Sequence, residues 1–300
     1  MNYYETINSA VEFIEEHLKE ELTAQQISKE FGYSVYHFCR IFALQKGIPL
    51  MNYVHQRRLS VARSELIKGK KIIDVALDYG YETASGFAKS FRKEFGYSPS
   101  TYVMKMSGVN LKRLVTKIGE YVMHPVIMKR EAFKVAGYGI KTNIASNYMK
   151  DIAAYWDTYT GENLECKMYQ QLNPPKHGEV GICVSTQGDE NVTYLLGVIV
   201  DDFSKVTPDM IKIEVPQAEY AVFTTPAIDL TKADTYQSNL SYVVKSTWKY
   251  IFEEWFPSSG YAYDESKMDF EFYDERCLSR PDATMEIWVP VIKKDCLSEK

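Results

Sequence analysis

Apolar positions near the N-terminus recur at helical spacing. Ile7, Ala10, Val11, Ile14 and Leu18 lie one or two turns apart and predict an amphipathic helix. Phe38, Ile41 and Phe42 mark a second apolar stripe, Phe87 and Phe91 a third, and Leu59, Ala62, Leu66 and Ile67 a helix between them. From Val126 onward the period shortens to runs of Val, Ile, Tyr and Phe broken by Gly, Pro and Asp, the texture of strands. This predicts residues 126–142 as a strand or bent hairpin, 148–159 as a helix, and 178–185 and 191–201 as strands. The same order then returns, with a strand at 210–225, a helix at 236–256 and strands at 268–273 and 284–292. An all-α region therefore precedes an α+β region built twice as strand-helix-strand-strand. Domain limits follow at 1–107 and 124–300, with 108–123 as a connector.

The helical region repeats itself. Residues 27–54 (ISKEFGYSVYHFCRIFALQKGIPLMNYV) match residues 75–103 (VALDYGYETASGFAKSFRKEFGYSPSTYV), pairing Phe38 with Phe87, Arg40 with Lys89, Phe42 with Phe91, Gly47 with Gly96 and Tyr53 with Tyr102. Gly32 pairs with Gly80, one residue closer, so the second copy carries an insertion just after its turn. In each copy a short helix meets a glycine, and Ser34 or Thr83 stands where an oxygen can cap the next helix. That is the grammar of a helix-turn-helix, written twice. Opposite the apolar stripes, Tyr36, Cys39, Arg40 and Ala43 share a face in the first copy, and Ser85, Ala88, Lys89 and Arg92 in the second. The helix between the copies carries Arg57, Arg58 and Arg63. Although the chain has a net charge of -5, residues 31–105 hold twelve Lys and Arg against five Asp and Glu, which points to an anionic partner for this block.

With these residues in hand, the chain resembles the AraC/XylS family of transcription regulators over roughly residues 5–105. The stretch GYETASGFAKSFRKEFGYSPSTY looks like that family's C-terminal signature. The resemblance implies seven helices and two recognition helices in successive major grooves of double-stranded DNA. It also implies base-reading places at Tyr36, Cys39 and Arg40, and at Ala84, Ser85, Gly86, Ala88 and Lys89. Cys39 stands where long polar side chains often read bases, and Val103 replaces a common arginine. Direct readout is expected chiefly from Arg40 on a guanine edge, and phosphate contacts from Lys89 and Arg92.

The α+β region resembles the GyrI-like effector-binding domain over about residues 124–294. The resemblance rests on PQAEYAVFTTPA, WKYIFEEWFPSSGY, DFEFYDERC and EIWVPVI, with a looser first half around VAGYGIK and AAYW. An AraC-type domain followed by this module looks like the Rob-type, multidrug-responsive regulators. The resemblance implies an acidic residue among aromatics that receives organic cations, and Glu271 occupies the matching position. Glu271 and Tyr273 share a strand face at period two. Trp288 on the next strand and Trp156 on the first-half helix complete the candidate ligand set. Trp248 and Trp255, seven apart on one helix, are assigned to packing. Duplicated halves leave a cleft along their shared axis, a common place for a ligand.

Catalytic motifs are absent. The five histidines show no metal spacing, and there is no nucleophile elbow or Gly-rich phosphate loop. Cys39, Cys166, Cys183, Cys277 and Cys296 form no C-x-x-C pair and read as reduced thiols. No run of apolar residues is long enough to cross a membrane, and no export signal opens the chain. The expectation is a cytoplasmic, non-enzymatic transcription regulator without a cofactor. Its partners are double-stranded DNA, a small effector and RNA polymerase, and activation is the direction the resemblance implies. Two alternatives stand beside it: hydrolysis of a small electrophile with Glu271 as general base, and a protein-binding role for the GyrI-like module.

Overall fold

The computed structural model describes residues 3–106, 123–143, 148–185, 191–231, 236–277 and 280–294. They fall into two units. One runs to Glu94 and takes in Ser98–Ser100, and the other comprises Phe95–Tyr97 and what is described from Thr101 onward. The connector at 108–123 lies outside the described residues except for Met123.

Seven helices account for the N-terminal third: α1 Tyr3–Glu16, α2 Ala24–Glu30, α3 Val35–Lys46, α4 Leu50–Leu66, α5 Ile72–Asp78, α6 Ala84–Phe95 and α7 Pro99–Met106. The predicted apolar stripes are the core, with Ile7, Ala10, Ile14, Phe38, Phe42, Leu59, Ala62, Leu66, Phe87 and Phe91 all buried. Val11, Ile41 and Ile67 are only half-buried.

The two copies agree bond for bond at their turns. Gly32 and Gly80 adopt left-handed φ of 73° and 81°. The amide three places past each short helix reaches back alike, Tyr33 to the Ser28 carbonyl and Tyr81 to that of Ala76, both at 2.9 Å. Such a turn needs a residue without Cβ, because a left-handed side chain clashes with its own carbonyl. Ser34 Oγ then accepts from the His37 amide at 3.4 Å, and Thr83 Oγ1 from the Gly86 amide at 3.0 Å.

Two of the arginines on α4 hold the unit together. Arg57 grips Glu15 of α1 through two bonds of 2.6 and 2.8 Å, and Arg58 donates to the carbonyls of Leu18 and Glu20. Beside them, Glu65 accepts from Lys70, Lys19 and the Tyr79 hydroxyl. Partial burial works against its charge, but these three donors prevail and hold its carboxyl down at about 2.

The second unit is an antiparallel sheet whose strands are β1 Val126–Arg130, β2 Phe133–Asn143, β3 Glu179–Ser185, β4 Asn191–Val200, β5 Ile211–Val215, β6 Ala218–Thr224, β7 Tyr261–Tyr263, β8 Phe270–Tyr273 and β9 Glu286–Lys293. Their order is β1-β6-β9-β8-β3-β4-β2-β5, with β7 pairing on β9. Between β2 and β3 come α8 Tyr148–Gly161 and α9 Leu164–Leu172. Between β6 and β7 comes α10 Tyr236–Tyr250, which runs on through a π-helical stretch at Ile251–Trp255 and a last turn at Phe256–Ser258.

The strand predicted at 210–225 is two strands, broken at Pro216, whose nitrogen has no hydrogen to donate. Residues 126–142 likewise form two strands, but β1 pairs with β6 and β2 with β4 and β5, so they are no hairpin. The short elements α9 and β7 are additions to the expected pattern.

β3 and β8 meet at the centre of the sheet, with Val180 opposite Phe272. A half-turn about that pair carries each residue of β3 onto the residue 92 further along in β8. The same spacing separates Trp156 of α8 from Trp248 of α10, and Glu179 from Glu271. The duplication read from texture is therefore a pseudo-twofold axis through the Val180–Phe272 pair.

The sheet has two apolar faces. Val135, Val180, Ile182, Leu195, Tyr220, Phe270 and Trp288 pack together on one. On the other, Tyr194 and Leu196 meet Tyr155 and Tyr159 of α8, with Tyr138, Cys183 and Tyr273 at the margin.

Candidate functional site

Within the helical unit, the expected reading residues sit at the outward ends of α3 and α6. Tyr36 is 78% exposed, and Arg40 one turn later is exposed as well, while Cys39 is half-buried beneath them. On α6, Ser85, Gly86 and Lys89 are exposed, whereas Ala84, Ala88 and Arg92 are half-buried. The apolar stripes set this: once Phe38 and Phe42, or Phe87 and Phe91, are buried, residues two places away face outward. Among the expected reading residues, one long cation stands exposed on each helix, Arg40 on α3 and Lys89 on α6, next to small or aromatic neighbours.

In the second unit, Glu271 and Tyr273 do come together. The Tyr273 hydroxyl donates to Glu271 Oε2 at 2.7 Å, and the indole Nε1 of Trp248 donates to Oε1 at 2.9 Å. Gly181 lies opposite Glu271 across the strand pair, where a Cβ would meet Oε2 at an ordinary contact distance of 3.6 Å. Burial and the nearby Glu271 charge push the phenols of Tyr273 and Tyr194 well above their ordinary range, so both are neutral hydrogen-bond donors. Burial draws the pKa of Lys245 down, against the pull of Glu271. Among the described residues, no lysine or arginine stands within ion-pair distance of Glu271.

The other two expected ligand residues are placed differently. Trp288 is paired with Phe270, and Glu271 with Ile287, so alternation turns Trp288 to the opposite face of the sheet. There it stacks on Phe270, donates to Glu286 at 2.9 Å, and has the Arg130 guanidinium 4.8 Å from its ring centre. Trp156 lies on the same face as Glu271 but meets Tyr155, Tyr159 and Tyr194. Its half-turn counterpart, Trp248, is the tryptophan that touches Glu271. The assignment of Trp255 to packing holds, for it lies edge-on to Phe223 at 5.1 Å.

Glu179, the counterpart of Glu271, lies among tyrosines. Burial, reinforced by the Glu165 carboxylate, pushes its own carboxyl up to about 8. Among the described residues, no group of His, Cys, Asp and Glu is placed to hold a metal ion. No described helix is long and apolar enough to cross a membrane.

Comparison with known proteins also divides the chain in two, although the helix-turn-helix match runs on into residues 95–97 and 101–105 of the second unit. Residues 27–105 match a helix-turn-helix domain family, and residues 126–291, more than half the chain, match the family described as integron-associated effector binding protein. The chain belongs to that effector-binding family. Its N-terminal third is 35% identical to the regulatory protein SoxS of Salmonella typhimurium over 103 residues, 34% of this chain and 96% of that one. The HTH-type transcriptional activator AarP of Providencia stuartii is 34% identical over 105 residues, 35% of this chain and 78% of its own. The structure of SAV2435 bound to tetraphenylphosphonium aligns at 18% identity and a TM-score of 0.44, covering 57% of this chain and 94% of that one. The protein is thus an AraC-type transcriptional regulator carrying an effector-binding domain.

In this effector-binding regulator, sequence reasoning missed the contact of Trp248 with Glu271. For Trp248 the signal was present: its separation from Trp156 equals that of Glu271 from Glu179, and the same step pairs β3 with β8.

Proposed function

We propose that this regulator activates transcription by binding a specific DNA site through α3 and α6 and an organic cation at Glu271. The observation that carries the effector reading is the set of partners of Glu271: a carboxylate held by an indole N–H and a phenol, with no ion-pair partner among the described residues. Such a group attracts a cation with a delocalised or shielded charge, and surrounding aromatic rings add about 1–2 kcal/mol each when desolvated. On the DNA side, Arg40 reads a guanine edge, Tyr36 and Cys39 flank it, and Lys89 holds phosphate. The effector shifts an existing equilibrium between chain states that differ in their affinity for it, and the favoured state engages RNA polymerase in the cytoplasm.

The test is a tryptophan-fluorescence titration of the full chain with tetraphenylphosphonium and with neutral triphenylphosphine oxide. Saturable quenching by the cation alone, lost in Glu271→Gln, is the expected result. Equal response to both compounds, or an unaffected variant, overturns the reading. Recovery of a chemically altered ligand would favour the hydrolase alternative.

A further inference from the structure

Lys105 lies near the end of α7, inside the stretch that matches the helix-turn-helix family, and is part of the second unit. Its side chain is only 7% exposed and pairs with Asp269, which is 3% exposed and also accepts from the Tyr263 hydroxyl. Burial opposes the ammonium charge, but the attraction of Asp269 prevails and raises its pKa. The same ammonium stands 4.6 Å from the centre of the Trp248 ring. Phe252 is stacked with that ring at 5.6 Å and 18°. The indole is therefore engaged by Glu271 at its edge and by Phe252 and Lys105 over its rings. Neighbouring bonds hold α7 in place, from Thr101 to Glu265 and from the Tyr102 hydroxyl to Glu253 at 3.0 Å.

We propose that Lys105 is a resident cation of the effector site, and that an organic cation binds by exchange, replacing its ammonium over Trp248 and beside Asp269. The proposal rests on the reading of Glu271 as the effector's carboxylate. Asp269 and Glu271 lie two residues apart and are joined through the edge and face of one indole, an arrangement complete only with a cation in it. An empty site would leave Asp269 buried and uncompensated, a state proteins avoid at high cost. The chain supplies the charge itself. Exchange then imposes a condition on the ligand: a neutral compound of the right shape displaces Lys105 only by leaving Asp269 unpaired, so charge is selected as well as shape. The displaced residue belongs to the helix that follows the second reading helix in sequence, so filling the site alters α7 itself.

The experiment is calorimetric titration of full-length wild type, Lys105→Ala, Lys105→Arg and Lys105→Ala/Asp269→Asn with tetraphenylphosphonium. If Lys105 occupies the site for nine-tenths of the time or more, its removal tightens binding by about tenfold or more. Lys105→Arg, which keeps a cation, should not tighten binding, and the double variant should lose the gain. The double variant also buries no lone charge, which guards against misfolding of Lys105→Ala. In wild type, the side-chain ammonium resonance of Lys105 should move and exchange faster with water as the cation saturates. Tighter binding by Lys105→Ala, including binding where wild type shows none, supports exchange. Equal binding by wild type and Lys105→Ala, or an unmoved Lys105 resonance at saturation, overturns exchange and leaves the effector reading intact. Binding by none of the proteins overturns both.

Discussion

Arg40 and Lys89 hold equivalent places in the two copies, yet their neighbours ask different things of them. Arg40 projects from α3 beside Tyr36, and a planar guanidinium can read a guanine edge through two bonds at once. Lys89 stands on α6 among Ser85, Gly86 and Ala88, where a flexible point charge suits phosphate. Arg40→Ala should cost about 1–3 kcal/mol on a specific duplex and relax one base position. Lys89→Ala should weaken all duplexes alike and lower the salt slope by about 1. Gel-shift titrations at several salt concentrations, on matched and shuffled sites, separate the two outcomes. At this scale the sequence was legible wherever a residue's own helix or strand determines its direction, as for Tyr36, Arg40, Glu271 and Tyr273. It was not legible where direction depends on pairing. Trp288 was grouped with Glu271 because both sit on neighbouring strands, but the register pairs it with Phe270 and turns it away. Lys105 is the extreme case, since its partner Asp269 lies far along the chain and nothing local marks either of them.

Among elements, the turns of the helical repeat are the most strongly determined. Gly80 at φ 81° has open space around it except for the Arg58 guanidinium, 3.4 Å from where a Cβ would stand. Gly80→Ala should therefore destabilise the helical unit mainly through left-handed strain, by about 1–2 kcal/mol. Urea unfolding of the full chain, followed by helical circular dichroism, reads this, and an unchanged midpoint would show that the turn can relax. Repetition is why the helices of both copies could be anticipated, since each apolar stripe supported the other, while the count of seven came from the family resemblance. The sheet gave less away. Pro216 ends a strand that composition alone would continue, and β7 spans only three residues, too few to establish a period of two. α9 starts at Asn163 in a left-handed conformation with no side-chain cap, so the usual signal for a helix start is missing. The basic charge of residues 31–105 is in part internal, because Arg57 and Arg58 are committed to α1 and the segment after it.

For the molecule as a whole, Glu179 sets a pH dependence. Its carboxyl titrates near 8 when folded, well above the ordinary carboxylate value of about 4.3. The folded chain thus holds a proton that the unfolded chain has released, and this contribution to stability is complete below about pH 4.3 and lost as pH rises through about 8. Thermal unfolding of the effector-binding domain should accordingly fall from pH 5 to pH 8.5, and Glu179→Gln should flatten the profile. A parallel decline in that variant would place the titration elsewhere. The half-turn axis that relates Glu179 to Glu271 has a final consequence, visible in the strand order. β1 pairs with β6 of the second half, and β5 pairs with β2 of the first, so each half has given its opening strand to the other. The module is built as a strand-swapped dimer would be, with the two subunits joined end to end. The segment between β4 and β5 is thus the least of the ties between the halves: if it were severed, every strand would still lie beside its partner, and neither half could leave without tearing open the other's edge.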